Sequence, residues 1–471
     1  MDRAKFADKT EMAEVFAQNI VATRYKDLPA QTVEVTKQSI LDTLGVSMAG
    51  GGTVPEVRAI VELVTEGGGK PESTIWGFGQ KVPAMMAAFV NGAMTHSLDY
   101  DDVIDECGVH LSATTVPAAL AVAERTGGVS GREFITAIAL ANDMISRMAQ
   151  AISARRSWFL TPLMGVFSGA AACGKVLGLG KDQLVNAFGI AFCQAAGTME
   201  VVHGTDSSIR ALYDSFVGKA GVLSALMAQR GISGVKASME GKSGLFNAYF
   251  LGDYSSDILR GDLGRRFEGS KVSFKAWPCC RRAHPAVTAL LALMRKEGIR
   301  AEEIERVVID TNPASEALCQ PPAARQRPSI PLDAKFSIPY IAANAMLKGR
   351  ISLEDFDPEA IQDPRTIDLA KKIGSRLNPA YAAIAGMTPG KVELQTKIGK
   401  IYQHLEEFPY GHPQNPMSQE DLLRKFRDCV FHSATPLHAD DTENLVHMLS
   451  TLESVKDMRE ITCLLGRDSG R

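Results

Sequence analysis

Asp99, Asp101, Asp102, Asp105 and Glu106 crowd the short stretch ahead of His110, within the segment Asn91–Glu124. Carboxylates beside an imidazole are the groups that remove and deliver protons. A run of acids is usually a solvated loop. Here Leu98 and Tyr100 interleave the acids, so at least one face should be buried, and burial raises the proton affinity of the least solvated carboxylate. Asp99 and Asp102, three apart, share a face if the preceding helix runs on through them. His110 stands just ahead of a helix start, a place that favours a neutral imidazole or a nearby anion. A lone histidine there is also a common structural residue.

A second group is Lys275-Ala-Trp-Pro-Cys-Cys-Arg-Arg-Ala-His284. A basic surface turn over Trp277 and Pro278 would account for it. So would an anion site, because backbone N–H groups at a helix start attract anions. Lys275, Arg281 and His284 are then the binding groups. Cationic surroundings lower a thiol pKa and make Cys280 a candidate acid or hydrogen-bond donor. A vicinal Cys279–Cys280 disulfide would be strained. Arg210 falls in the first turn of a helix that continues through Lys219, against the helix dipole. A bound carboxylate would explain it, and so would a salt bridge to Asp206 or Asp214. Ser337 caps a helix with Pro339 in its first turn, and Tyr340 either holds substrate or sits in the core.

Most of the first half must be helical to position these groups. Thr32–Ala49, Val54–Thr65, Pro83–His96, Thr115–Arg125, Gly131–Ser153, Thr161–Leu177, Lys181–Ala195 and Ser208–Arg230 carry apolar residues at i, i+3, i+4 spacing. Thr115 and Pro117 open one of these helices. So many helices without an intervening strand argue for an all-α domain. After about Phe267 the pattern changes. Residues 271–277, 304–310 and 391–397 alternate as strands, with helical tracts between them. The expected architecture is mainly α: a large helical domain, residues 1–267 and 408–471, with an inserted smaller α+β lid domain, residues 268–407.

Bulk properties narrow the partners. A formal net charge of −3 gives no electrostatic reason to expect nucleic acid or an anionic membrane. Apolar runs are broken by Gly, Ser, Lys or Gln before they reach a membrane span. The first twenty residues lack an apolar signal core. Eight cysteines, with no Cys-x-x-Cys pair and no His-x-x-x-His, argue against a disulfide scaffold and against zinc or iron–sulfur sites. The expectation is a cytoplasmic, metal-free protein.

Several pieces occur together: Asn91-Gly92, His96-Ser-Leu-Asp-Tyr-Asp-Asp102, His110, Lys275-Ala-Trp-Pro-Cys-Cys280 with His284, Ala334-Lys-Phe-Ser-Ile-Pro-Tyr340, and Gly411-His-Pro-Gln-Asn-Pro416 followed by Lys425-Phe426. In this order they resemble the MmgE/PrpD family, which contains 2-methylcitrate dehydratases, cis-aconitate decarboxylases and iminodisuccinate epimerases. The resemblance spans nearly the whole chain. It implies a homodimer, no cofactor and an active site between the two domains. It places Asp99 and His110 where the family has an active-site acid and imidazole. Arg210 stands where decarboxylase-like members carry Lys, Cys280 where they have a catalytic His, and Tyr340 at their active-site Tyr. Phe159, Val103 and Leu111 depart from the decarboxylase pattern of His, Thr and Pro. The implied activity is a lyase that dehydrates a di- or tricarboxylate. Asp99 or His110 is the base, Cys280 or Tyr340 a further acid, and Asp102, Arg210, Lys275, Arg281 and His284 bind substrate. An epimerase, a decarboxylase and a non-catalytic carboxylate-binding protein are the alternatives.

Overall fold

The computed structural model describes residues 10–154, 157–203, 207–382, 384 and 386–466. Its longer helices in the first half are α1 (Met12–Ala22), α2 (Ala30–Thr53), α3 (Pro55–Gly67), α4 (Ala84–His96), α5 (Ser112–Thr126), α6 (Gly131–Gln150), α7 (Leu160–Val176) and α8 (Lys181–Phe192), followed by Asp214–Gln229. Helix α7 is apolar all round and buried from Leu160 to Gly174, as a central helix must be. Around it pack α5, α6, α8 and the Asp214–Gln229 helix.

Small residues allow close crossings. A Cβ on Gly218 would lie 2.8 Å from the Ala88 carbonyl oxygen, and one on Gly92 would lie 3.1 Å from that of Asp214. With hydrogens at both places, the Asp214–Gln229 helix comes down onto α4. Elsewhere a fully buried Arg147 ties α6 to the segment 258–266, more than a hundred residues onward. Its Nε lies 2.9 Å from Asp143, and its guanidinium donates to the carbonyls of Ile258, Gly261 and Arg266.

The chain divides into two compact units, Met1–Val272 with Gln419–Arg471, and Ser273–Ser418. Among its described residues the first is helical apart from a two-stranded hairpin, β1 (Ser73–Thr74) with β2 (Lys81–Val82). That hairpin corrects the expectation of helices without an intervening strand. It is tied to α4 by Asn91, which accepts from Trp76 N and donates to the Thr74 carbonyl. The second unit holds a four-stranded sheet in the order β4-β3-β5-β6, with β3 Ile304–Thr311, β4 Ile373–Leu377, β5 Gly390–Thr396 and β6 Ile401–Glu406. The β3–β4 pair is parallel and the others antiparallel. The His284–Glu297 helix packs on β5 and β6, against the face that carries Val392 and Leu394.

Three local expectations are corrected. Residues 271–277 form no strand; a short 3-10 turn ends at Lys271 and an irregular, almost wholly buried segment follows. Burial on every side removes the polar face that alternation implies. The 208–230 helix is two, Ile209–Leu212 and Asp214–Gln229, separated at Tyr213. Helix α5 starts at Ser112, ahead of Thr115.

Candidate active site

Helix α4 stops at His96, and Asp99 turns the chain with φ of +52°. This is the left-handed region, which Asp tolerates better than most residues. The helix therefore does not run on, and Asp99 and Asp102 do not share a helical face. A second turn follows. Ile104 and Val109 form an isolated antiparallel bridge, with Gly108 at φ +59° donating to the Ile104 carbonyl. Thr161, in the first turn of α7, accepts from His110 N. These turns return the chain so that His110 meets Asp101.

Asp101 is the centre of the arrangement. Its Oδ2 lies 2.9 Å from His110 Nδ1, and its two oxygens lie 3.1 and 3.2 Å from His96 Nδ1. Asp214, at the start of its helix, approaches His96 Nδ1 to 3.7 Å. The two imidazole rings meet edge to face, with centroids 4.6 Å apart. His96, Asp101 and Asp214 are almost wholly shielded, whereas His110 keeps 7% exposure.

Charge in this cluster is set by burial against partners. Burial opposes ionisation of Asp101, but the charges of His110 and His96 overcome it and hold the carboxyl well below its usual range. Burial likewise opposes a charged His96, and the negative charge of Asp101, then Asp214, wins and raises its pKa. Asp214 is pushed up by burial, against the electrostatic pull of His96, His110 and Arg210. The result is a carboxylate between two imidazoles, with a second carboxyl of raised proton affinity behind them. His96, Asp99 and His110 each offer a ligand-type atom within 4.8 Å of one another, as do His96, Asp101 and Asp214. Either set could gather a divalent cation, although a protonated His96 has no lone pair at Nδ1 to offer.

Sequence reasoning gave site roles to Asp99 and His110 here and none to His96, Asp101 and Asp214. The motif His-x-x-x-x-Asp was the available signal for the first two. Asp214 comes from a helix more than a hundred residues onward. Arg210 lies on the short helix before it, half-buried, where its charge acts on Asp214. Asp206, the other acid considered for it, lies outside the described residues.

Asp102 is turned to a different task. It accepts from Ser112 N at 3.1 Å and Ser112 Oγ at 2.5 Å, and so caps α5. Burial, with the nearby charges of Asp42 and Asp101, outweighs these bonds and raises it to about 7. Protonation therefore favours the folded state, and this contribution is lost as pH rises from about 4 through about 7. Asp102→Asn should flatten that part of the stability curve and gain on the parent protein toward pH 8. Urea midpoints measured between pH 4 and 8 check this; parallel curves for the two proteins would refute it.

The second unit gathers its own group. The Arg281 guanidinium donates to the Tyr410 carbonyl at 2.9 Å and lies 3.3 Å from His284 Nδ1. A guanidinium only donates, so His284 Nδ1 is the acceptor and its proton sits on Nε2, which faces Cys279 Sγ at 3.7 Å. Lys275 is fully buried. Cys280 is half-buried, and its N–H donates to the Lys335 carbonyl. It is Cys279, passed over in the sequence, that meets His284. All eight cysteines are free thiols. Tyr340 is fully buried and donates its hydroxyl to the Asp355 carbonyl at 2.5 Å. Ser337 caps its helix as expected.

Residues 14–257 match the family model for the MmgE/PrpD N-terminal domain, and residues 277–451 that for the MmgE/PrpD C-terminal domain. The chain is similar to cis-aconitate decarboxylase of Homo sapiens, 26% identical over 469 residues that cover 96% of this chain and 94% of that protein. It is also similar to cis-aconitate decarboxylase of Aspergillus terreus, 25% identical over 457 residues and 92% of each chain. With 2-methylcitrate dehydratase of Salmonella typhimurium it shares 24% over 417 residues, 82% of this chain and 84% of that one. Among the described residues, no helix is long and apolar enough to cross a membrane.

Proposed function

The chain belongs to the MmgE/PrpD family, and from that premise we propose that it is a lyase that dehydrates a hydroxy di- or tricarboxylate resembling 2-methylcitrate. The observation that carries the reading is the buried Asp101–His110 pair at 2.9 Å. An anionic Asp101 beside Nδ1 favours the proton on that nitrogen and leaves the His110 Nε2 lone pair as a base. His110 takes the proton α to a carboxylate, the C–H electron pair becomes the new C=C bond, and the β-C–O bond breaks. Asp99, in the same group of side chains, is the proposed proton donor to the departing hydroxyl. His96 keeps Asp101 anionic by sharing its charge. Negative charge developing on the carboxylate needs fixed cations, a role assigned to Arg210, Lys275 and Arg281. Tyr340, whose hydroxyl is spent on a core carbonyl, and Asp102, spent on a helix cap, are left out of the chemistry. A homodimer and cofactor-free turnover complete the proposal.

Decarboxylation is the second reading, favoured by the cis-aconitate decarboxylases among the relatives. The departures at Phe159, Val103 and Leu111 favour dehydration. The test offers 2-methylcitrate-like hydroxy acids and cis-aconitate to chelator-treated protein, following alkene absorbance and released carbon dioxide. Alkene formation from the hydroxy acid without carbon dioxide is the expected result. Carbon dioxide from cis-aconitate alone would favour decarboxylation. Solvent deuterium entering recovered substrate with no alkene would favour an epimerase.

A further inference from the structure

The pair Lys425-Phe426 is a sequence landmark that the proposed chemistry leaves unused. The structure puts Lys425 on the Gln419–Phe431 helix, which packs against α2. Its side chain is 3% exposed, and its ammonium lies 2.6 Å from Asp42 of α2, itself buried. A buried ammonium is costly unless paired and hydrogen-bonded. Asp42 supplies the counter-charge. The same nitrogen also donates to the Tyr100 carbonyl at 2.9 Å and lies 3.8 Å from the centroid of the Tyr100 ring. A cation over an aromatic face adds to the attraction.

Tyr100 stands between Asp99 and Asp101. Holding its carbonyl fixes the peptide plane that leads into Asp101, and holding its ring fixes the residue that follows the left-handed turn at Asp99. A non-glycine residue in that region persists only where its surroundings hold it. Helix α4 has ended three residues earlier, so helical hydrogen bonds no longer hold this stretch.

We propose that Lys425 is a positioning residue: across 325 positions of sequence it clamps the Tyr100 backbone and thereby aims the carboxylates on either side of it. Asp42 is its anchor. The proposal rests on the acid–base reading above, and its test separates the two.

The variant Lys425→Met with Asp42→Asn removes both charges together, so that neither is left buried alone. Amide hydrogen exchange of the full chain should then speed up in residues 97–111, while α2 and the Gln419–Phe431 helix stay protected. On a turned-over substrate, kcat should fall about 10–100-fold with KM within about twofold, the loss expected of misaimed reacting groups. Lys425→Arg, which keeps the charge, should recover part of it. Faster exchange spread through α2 and the Gln419–Phe431 helix, with kcat unchanged, would mean that Lys425 serves stability alone and would overturn the proposal. Unaltered exchange in 97–111 would overturn it as well. If no tested carboxylate is turned over, the exchange result still decides whether Lys425 holds the loop, and only the reading of the reaction falls.

Discussion

Asp101→Asn should lower kcat by about two to four orders of magnitude, the range general acid–base help supplies, while the protein remains folded. Asparagine keeps the shape but not the charge. His110 then loses the anion beside its Nδ1, and His96 is left with Asp214, at 3.7 Å, and Asp99 as its negative neighbours. His110→Ala should cost a similar amount. Because the two act as one unit, the double variant should be little worse than either single one. Steady-state kinetics on the substrate identified above, arranged as a double-mutant cycle, read this directly. Losses that multiply in the double variant would mean that Asp101 and His110 act separately, and near-normal turnover of Asp101→Asn would remove the proposed base.

The largest stability effect should come from Arg147→Leu, at about 3–5 kcal/mol. Arg147 is fully buried and satisfies Asp143 together with the carbonyls of Ile258, Leu259, Gly261 and Arg266. Its removal takes this donor from every one of those carbonyls and leaves Asp143 to the Glu268 N–H. Asp143 is already raised to about 6, because burial outweighs the attraction of Arg147. Without that attraction its folded-state pKa climbs further. Deprotonation then costs more in the folded state, so the variant should suffer most at high pH and be partly relieved toward pH 5. Asp143→Leu added to Arg147→Leu should recover part of the loss. Urea unfolding followed by circular dichroism at pH 5 and pH 8 measures both effects. A loss below about 1 kcal/mol at pH 8 would show that water, or a shift of the 258–266 segment, replaces the guanidinium.

Much of the fold was legible because a helix writes its buried stripe into the sequence at a period of 3.6 residues. That is why α2, α4, α6 and α7 fall close to their expected spans. Where burial is complete, the stripe disappears and period carries nothing. Residues 271–277 read as a strand for this reason, although their backbone is irregular. The break at Tyr213 was hidden because helical spacing continues across it. The match to the MmgE/PrpD models over 14–257 and 277–451 agrees with the order of motifs read from the chain.

At the site, composition revealed a place and not the roles. Asp99, Asp101 and Asp102 are near neighbours in sequence with three different surroundings. A left-handed turn sets the first, two imidazoles hold the second, and the third caps α5. None of these is encoded in the local pattern, since each depends on where the backbone turns and on what another helix brings. Asp214 and Lys425 make the same point from a greater distance: a long-range partner leaves no periodic trace at the residue it serves.

The crossing of α4 with the Asp214–Gln229 helix gives two missing methyl groups a part in the proposed proton transfer. Hydrogens at Gly92 and Gly218 let Asp214 come within reach of His96, which together with His110 holds the Asp101 carboxyl well below its usual range. Interhelical clearance here is thus an electrostatic setting, so that a sub-ångström spreading of two rods would be felt as altered basicity before it was felt as lost cohesion.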